Sequence, residues 1–250
     1  MNQLKSIEAF IEMNSDLLIA FKNLTELFSH VAQDAGIDIR PYQGKGPKYF
    51  QLLPEELQAS VLTNFFKSAE AITQVASLNE SFDSGHKLLW RMIQNLKLRP
   101  TKDLFSILED DDVIEIYQLP QCVQIFRNMR FYQVCSYTLD EILCRPFWDL
   151  YHRDESVTQA IMEKVSIAAS RKKPQTMAYE IDPYVLTEID STGHFVSMVE
   201  NKFLSPLFDG QNNVVAMVNI MSGRVINKDD TKHIASNRNS KRVNVDEQRL

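Results

Sequence analysis

The feature that most constrains this fold is a change of hydrophobic period at the acidic run Glu109–Asp112. Before this run, apolar residues recur at spacings of three and four, which is the period of an amphipathic helix. After it, the chain forms short β-branched and aromatic segments, then helical spacings, then apolar segments again. This order predicts an α+β fold with an antiparallel sheet. We therefore expect a helical region at 1–108, an α+β domain at 109–226 and a disordered polar tail at 227–250.

Composition limits the function classes. Apolar residues make up 44% of the 250 residues and charged residues 24%, as in ordinary globular chains. None of the 7 glycines forms a Gly-rich phosphate loop, which argues against P-loop or Rossmann nucleotide chemistry. No apolar run could span a bilayer, and the N-terminus does not resemble an export signal, so we expect a cytoplasmic protein with no membrane contact. Cys122, Cys135 and Cys144 lack C-x-x-C spacing, as expected for buried thiols in a reducing compartment.

The charge distribution argues against a nucleic-acid-binding face in the second half. The net charge is −6, and residues 109–226 hold 17 Asp and Glu against 10 Lys and Arg. Binding to phosphates depends on clustered Lys and Arg. We therefore expect no nucleic-acid partner for this half.

Residues 4–33 are predicted to form one long amphipathic helix. Its apolar stripe can be written as a heptad seam containing a single Asn, a pattern that fixes register in coiled coils. The seam predicts a homodimer with an interface formed by Ile7, Phe10, Asn14, Leu17, Phe21, Leu24 and Phe28. The apolar face is wider than a two-stranded seam requires, so an ordinary helix inside a bundle is an equal alternative.

Further helices follow from cap and turn residues. Gly36 is expected to end the first helix, and 36–49 is expected to be a loop because of its Gly and Pro content. Pro54 begins a second predicted helix that reaches about Leu78. Ser84 is expected to cap a third helix, and Thr101 a short fourth segment.

The second half is predicted to contain a hairpin, a helical middle at 131–168 and three longer strands. The strand segments are short, β-branched and aromatic, and Pro, Gly, Asn or Asp residues separate them. They are Val113–Tyr117, Cys122–Phe126, Tyr179–Ile189, Phe195–Leu207 and Val214–Met221.

A resemblance to a known family rests on motifs in order along this half. They are Asn128, Phe131-Tyr132, Ser136-Tyr137, Leu139-Asp140-Glu141-Ile142, Arg145-Pro146-Phe147, His152-Arg153-Asp154, Pro206–Gly210 and Val214–Ile220. Together they resemble the PAS domain family over about residues 113–226. The resemblance implies a five-stranded antiparallel sheet with helices across one face, enclosing a small hydrophobic space. It also implies a domain that senses ligands or pairs with protein partners, since few members of the family catalyse reactions.

Two residue patterns within the resemblance have local structural roles. Thr138 and Glu141 match a capping box, in which each side chain satisfies a backbone amide of the other residue. Asn128 is suited to the bend where a strand leaves the sheet. We expect both patterns to fix backbone geometry.

The candidate pocket lining combines flexible methionines with two aromatic residues. Methionine fills irregular gaps and suits a pocket for an apolar ligand, although a solid core is the alternative. The candidates are Met162, Met177, Met198, Met217, Phe147 and Trp148. Trp148 is further expected to be a buried anchor between helix and sheet.

The identity of any cofactor is left open by the sequence, and two familiar ones are disfavoured. Residues 164–176 contain no His, which argues against the His-ligated haem found in some PAS domains. Cys144 stands where most PAS chains have Gly, and no Asn-Cys pair is present, which argues against covalently bound flavin. No metal site and no catalytic residue is predicted, because G-x-S-x-G and H-E-x-x-H are absent and His152-Arg153-Asp154 lacks the rest of the kinase set.

We therefore expect a stand-alone, bacterial-type PAS sensor or adaptor that is not an enzyme. It would bind a small apolar ligand or a signalling protein and would signal through its N-terminal helices, by way of the connection at 109–112. The alternative is a DNA-linked transcriptional regulator with a PAS sensing domain. Against that alternative, the basic residues of the helical region are dispersed at Lys87, Arg91, Lys97 and Arg99.

Overall fold

The structure is a computed structural model that describes residues 10–11, 16–37, 45–80, 82, 85–170, 175–191 and 193–226. Ile7, Asn14, Ser84 and the predicted tail at 227–250 lie outside the described residues. Predictions that fall on them therefore stay predictions.

The helical region contains four helices among its described residues: α1 Leu17–Asp34, α2 Gly46–Gln51, α3 Glu55–Ser77 and α4 Gly85–Asn95. Helix α1 begins at Asp16, whose backbone is extended and whose carboxylate accepts a hydrogen bond from the Leu18 amide at 2.7 Å. Asp is a favoured N-cap, and an extended residue cannot lie inside a helix. The prediction of one uninterrupted helix over 4–33 is therefore wrong. Within the described ranges, no helix combines the length and the apolar character needed to cross a membrane.

The end of α1 confirms the role predicted for Gly36. Its φ is +69°, the left-handed region that favours glycine. The Gly36 amide donates to the Gln33 carbonyl and the Ile37 amide to the Ala32 carbonyl, which together make a Schellman motif. The loop predicted over 36–49 is wrong at its end, because α2 forms there with Pro47 in its first turn.

The segment after α4 differs from the prediction. A two-residue strand, β1 Arg99–Pro100, is followed by a 3-10 turn at Leu104–Ser106. Thr101 does not cap this turn, because its hydroxyl shares a 2.8 Å hydrogen bond with that of Ser205 in the sheet. The short segment is therefore attached to the sheet through a side chain.

The second half contains the predicted hairpin and the three predicted later strands, one of which covers only Tyr184–Glu188 of the predicted Tyr179–Ile189, with additional short elements between them. They are, in chain order, β2 Val113–Gln118, β3 Val123–Arg127, α5 Phe131–Val134, α6 Leu139–Ile142, a 3-10 turn Phe147–Asp149, β4 Tyr151–His152, α7 Glu155–Ser170, β5 Met177–Ala178, β6 Tyr184–Glu188, β7 Val196–Phe208 and β8 Val214–Val225. The predicted helical middle is thus interrupted by β4 and by a turn that follows Pro146, a residue that cannot continue a helix.

The strands form one antiparallel sheet in the order β3-β2-β8-β7-β6-β4, and β1 and β5 pair with β7. Helices α5 and α7 pack on β8 and β7. The predicted α+β class and the antiparallel sheet with helices across one face are confirmed, but the sheet has eight strands among the described residues, because the two-residue strands β1, β4 and β5 add to the five that were predicted. The sheet and its crossing helices are joined to an N-terminal helical region.

The two faces of β2 separate the two halves of the molecule. Ile114 and Ile116 are fully buried in a hydrophobic core that also contains residues of α1, α3 and α4. Glu115 and Tyr117 point to the opposite face, because successive side chains alternate along a strand. The helical region and the sheet therefore share one core across the boundary that was predicted at 109–112.

Five of the seven residues of the predicted dimer seam are described, and all five pack against the core of their own chain. Phe21 stacks on Phe50 at 4.3 Å between ring centroids, and Phe28 lies 5.2 Å from Phe65. Phe10 and Leu24 are also buried, and Leu17 packs half-buried against the same core. The bundle alternative is correct for these five residues, and the intermolecular seam is wrong for them. The homodimer itself stays a prediction.

Candidate functional site

A cavity of about 60 Å³ lies between the sheet and the helices that cross it. Phe131 of α5 and Ile161 of α7 form part of its helical wall, and β2, β7 and β8 supply the sheet wall. Most of its lining is apolar or aromatic. Small-molecule sites commonly combine such a lining with a few placed polar groups.

Three of the six predicted lining residues lie in the cavity wall: Phe147, Met162 and Met217. Met177 packs instead in a small cluster with Ala168 and Leu204. Met198 neighbours the lining residue Val199 on β7 and points to the other side of the strand. That any of these residues contacts a ligand stays a prediction.

Trp148 does not line the cavity and is not a buried anchor. Its side chain is 46% exposed and meets the edge of the Phe147 ring at a centroid distance of 5.3 Å. The 3-10 turn at Phe147–Asp149 directs Phe147 inward and its neighbour outward. The expectation of a buried Trp148 is therefore wrong.

Glu115 is a buried carboxyl group in the cavity wall, and sequence reasoning did not identify it. The antiparallel register places Glu115 of β2 opposite Asn219 of β8, and the Asn219 side-chain amide donates to Glu115 Oε1 at 2.7 Å. The Gln124 amide of β3 donates to Oε2 at 2.5 Å. Burial raises the pKa of Glu115 to about 7, and the hydrogen bond from Asn219 opposes that rise.

Arg127 lies behind Glu115 and completes a buried polar network. Its guanidinium donates to Gln124 Oε1 at 2.9 Å and to the Tyr137 carbonyl at 3.0 Å. The same group lies 4.3 Å from the centre of the Phe131 ring, within cation–π range. The network fixes the side chain of Gln124, one of the two amides that hold Glu115.

Two amide oxygens in the cavity wall have no hydrogen-bond partner among the described residues: Asn201 Oδ1 and Asn219 Oδ1. Asn201 is 4% exposed and Asn219 8%. The nitrogen of Asn201 bonds the Tyr184 hydroxyl at 3.1 Å, and that of Asn219 is used by Glu115. A buried acceptor without a partner costs about 1–3 kcal/mol. A ligand that donates hydrogen bonds here would recover that free energy.

Arg153 brings a hydrogen-bond donor to the same wall. It is half-buried, and its guanidinium lies 4.7 Å from the centre of the Phe147 ring. Stacking on this ring holds the group in the wall. The cavity therefore offers both acceptors and a donor within an apolar enclosure.

The cysteine thiols are buried. Cys122 and Cys135 line the cavity, whereas Cys144 lies outside its wall. Burial raises the pKa of all three thiols. They are therefore protonated at neutral pH and are poor nucleophiles.

Glu188, a second carboxylate in the wall, is already saturated with hydrogen bonds. It accepts from the Phe195 amide at 2.9 Å, from the Ser191 hydroxyl at 2.6 Å, and from both the amide and the hydroxyl of Ser136. These bonds join the end of β6 to the loop before α6. We interpret Glu188 as a structural residue.

One sequence signal could have identified the polar residues of the cavity wall that the sequence analysis did not predict. Glu115 and Asn219 are each surrounded by apolar residues in their strands, and Asn201 follows a similar alternation. A polar side chain at an inward strand position lowers the stability of the fold unless it has a hydrogen-bond partner. Only the register shows that these positions face one cavity.

About half of this chain is similar to two solved structures of the blue-light photoreceptor Aureochrome1 LOV. Its dark structure is 20% identical, with a TM-score of 0.34, and the match covers 52% of this chain and 86% of that chain. Its light-state structure is 19% identical, with a TM-score of 0.34 and coverage of 55% and 98%. No family model matches this chain, and no curated protein matches it.

Proposed function

We propose that this chain is a PAS-type sensory or adaptor protein whose cavity binds a small molecule and whose helical region transmits the binding to a signalling partner. The observation that carries the proposal is the pair of buried, unpartnered amide oxygens on neighbouring strands of the cavity wall. Hydrogen-bonding groups are ordinarily satisfied inside a protein. Unsatisfied ones in a cavity favour a ligand as the partner.

One route from the cavity to the helices runs through β2. Its inward residues line the cavity, and its outward residues pack under α3 and α4. Gln118 at the end of β2 accepts hydrogen bonds from Ser60 and Asn64 of α3, both at 3.2 Å. A shift of β2 would therefore change the position of α3 relative to the sheet.

A second route runs through β7 to the connection at 109–112. Asn201 faces the cavity, and the next residue, Lys202, forms ion pairs with Glu109 at 2.6 Å and with Asp112 at 2.7 Å. The Asp112 side chain is fully buried, so this contact is shielded from solvent. The pair links the cavity wall to the segment that enters the helical region.

We propose a binding role without catalysis. Two observations favour it: the cavity thiols are protonated, and Glu188 has no unused hydrogen-bonding capacity for proton transfer. Glu115 is likewise held by two amides. Each of these groups is better placed to hold a structure than to react.

The described contacts favour the sensor over the DNA-linked regulator. Lys87 and Arg91 of α4 both pair with Glu80, at 3.5 and 3.1 Å. These ion pairs use two of the dispersed basic residues that contact with DNA would require. We therefore retain the sensor as the proposed function.

The proposal is tested with butyramide, a short neutral amide, on the full chain. We expect butyramide to shift the side-chain NMR signals of Asn201 and Asn219 and to change hydrogen exchange in α1. The Lys202→Met variant should bind butyramide within twofold of the unmodified chain but lose part of the exchange response. Lys164→Met is the matched control, because Lys164 pairs only with the exposed Glu180 among the described residues.

Absence of any shift at Asn201 and Asn219 would contradict ligand binding. Binding with unchanged exchange in α1 would contradict transmission, since a ligand moves a conformational equilibrium only by binding one state better. The protein would then be a passive binding adaptor.

A further inference from the structure

A surface groove adjoins the cavity. The groove has a volume of about 510 Å³ and lies between α7 and the β2–β3 turn, with Pro120 on one side and Ala169 on the other. Four residues line both the groove and the cavity: Leu119, Cys122, Met162 and Val165. The side chains of these four residues therefore lie between the groove and the cavity.

Met162 is the residue best suited to open the passage. It is half-exposed, and its unbranched thioether side chain adopts other rotamers at low cost. Its displacement would join the groove to the cavity without movement of the backbone. The groove is thus a route by which part of a ligand can remain outside the cavity.

The two spaces differ in size and in chemistry. The cavity of about 60 Å³ has room for roughly four water-sized groups, which suits a head group. The side chains of the groove wall are mostly apolar, and Ser166 carries the hydroxyl among them. Glu115 and Asn219 lie about 13 Å along the strand from the Leu119 end, at roughly 3.3 Å per residue. The polar groups therefore lie at the inner end and the apolar groove at the outer end.

The polar groups of the cavity select a neutral head that both donates and accepts hydrogen bonds. Asn201 Oδ1 and Asn219 Oδ1 require donors, and the guanidinium of Arg153 can donate to a carbonyl. A carboxylate head would face Glu115 and two amide oxygens. An ammonium head would be repelled by the positive charge of Arg153, and by that of Arg127 behind Glu115. A primary amide can donate hydrogen bonds to the two amide oxygens and accept one from the Arg153 guanidinium, and it carries no net charge.

We propose that the ligand is an aliphatic primary amide, with its head in the cavity and its alkyl tail in the groove. This inference rests on the proposed function, because it requires that the cavity bind a ligand at all. It adds the ligand class and the path of entry. The alkyl tail is the occupant of the groove, because the side chains of the groove wall are mostly apolar and four of them also line the cavity that holds the head.

The test is calorimetric titration of the full chain with butyramide, octanamide, N,N-dimethyloctanamide and octanoate. We expect octanamide to bind at least tenfold more tightly than butyramide, because its longer tail buries apolar surface in the groove. N,N-dimethyloctanamide lacks the donors, and octanoate carries the wrong charge. Each should bind at least tenfold more weakly than octanamide.

Ser166→Trp fills the groove from an exposed position of α7. This variant should weaken octanamide at least tenfold and leave butyramide within twofold. Gln159→Trp is the matched control, since Gln159 is exposed on the same helix and is not part of the groove lining. It should leave both affinities unchanged.

Equal affinities for butyramide and octanamide, or an unchanged octanamide affinity in Ser166→Trp, would overturn the tail path while leaving the proposed function intact. Octanoate binding as tightly as octanamide would overturn the amide head. Failure of both butyramide and octanamide to bind would overturn this inference and the proposed ligand binding together.

Discussion

Glu115 shows how a buried acid can be placed inside a strand. Its neighbours in sequence are isoleucines that point to the other side of β2, into the shared core. The amides of Asn219 and Gln124, on the two adjacent strands, hold its carboxyl oxygens. These bonds favour the ionised form, but burial outweighs them and the pKa rises to about 7.

This shift gives Glu115 a measurable effect on the pH dependence of stability. An acid whose pKa is raised by folding binds its proton more tightly in the folded state, so it lowers stability as pH rises from about 4.5 to about 7. We expect Glu115→Gln to remove this loss. The difference in unfolding free energy between the variant and the unmodified chain should move in favour of the variant by roughly 2–3 kcal/mol between pH 5 and pH 8.

Urea unfolding at the two pH values provides the measurement. Glu200→Gln is the control, because Glu200 is an exposed carboxylate on β7. An identical pH dependence in Glu115→Gln and the unmodified chain would contradict the assignment.

Phe147 and Trp148 are adjacent in sequence and opposite in environment. Phe147 is 6% exposed and lines the cavity, whereas Trp148 is 46% exposed. Truncation of a buried aromatic residue costs about 3–5 kcal/mol, and changes at exposed sites cost much less. We expect Phe147→Ala to lower the unfolding free energy by about 3–5 kcal/mol and Trp148→Ala by about 1 kcal/mol. Equal losses in urea unfolding would show that Trp148 is a structural anchor after all.

At the scale of elements, Gly46 explains the contact between α2 and α6. A Cβ atom on Gly46 would lie 2.1 Å from Asp140 Oδ2 and 3.0 Å from Asp140 Cβ. The Asp140 carboxyl group is buried and accepts a hydrogen bond from the Gly46 amide. Only glycine allows this close approach.

Gly46→Ala should therefore destabilise the protein, although alanine is normally the better helix former. We expect a loss of about 1–3 kcal/mol, the usual cost of overpacking. Asp140→Ala should relieve the clash, so a double-mutant cycle measured by thermal unfolding should give a coupling of at least about 1 kcal/mol.

Gly210→Ala is the matched control, because nothing lies within 4 Å of the Cβ it would add. A Gly46→Ala protein as stable as Gly210→Ala would contradict the close approach.

Elements that depend on local chemistry were predictable. Thr138 and Glu141 form the expected capping box, with the Thr138 amide donating to Glu141 Oε2 at 3.0 Å. Asn128 holds the bend after β3, because its oxygen accepts from the Ile114 amide at 3.1 Å and its nitrogen donates to the Asp112 carbonyl at 2.7 Å. Such contacts join residues whose positions the local sequence or a neighbouring strand already fixes.

At the scale of the molecule, the shared core predicts cooperative unfolding of the two halves. Outward residues of the sheet, among them Ile114, Ile220 and Phe126, are buried in the same cluster as Phe65 and Leu89 of the helical region. Separation of the halves would expose these apolar surfaces. We therefore expect the described parts of 1–108 and 109–226 to unfold together.

The two tryptophans, Trp90 in α4 and Trp148 beside the cavity, allow a direct measurement. The single-tryptophan variants Trp90→Phe and Trp148→Phe each report on one half by fluorescence during urea unfolding. The fluorescence transition of each variant should coincide with its own circular dichroism transition, as two-state unfolding requires. A separate, earlier transition for either half would contradict a single cooperative unit.

The sequence by itself determined the broad order of elements: helices, then a hairpin, then helical segments, then three further strands. It also determined the caps at Gly36 and Thr138, because backbone period and cap chemistry are local properties. Tertiary structure decided which partner each apolar or polar face meets. The stripe of α1 met Phe50 and Phe65 of its own chain instead of a second copy. Antiparallel register likewise brought Glu115 opposite Asn219, more than a hundred residues along the chain. An apolar face can be buried in several ways that local sequence does not distinguish, and long-range packing selects among them.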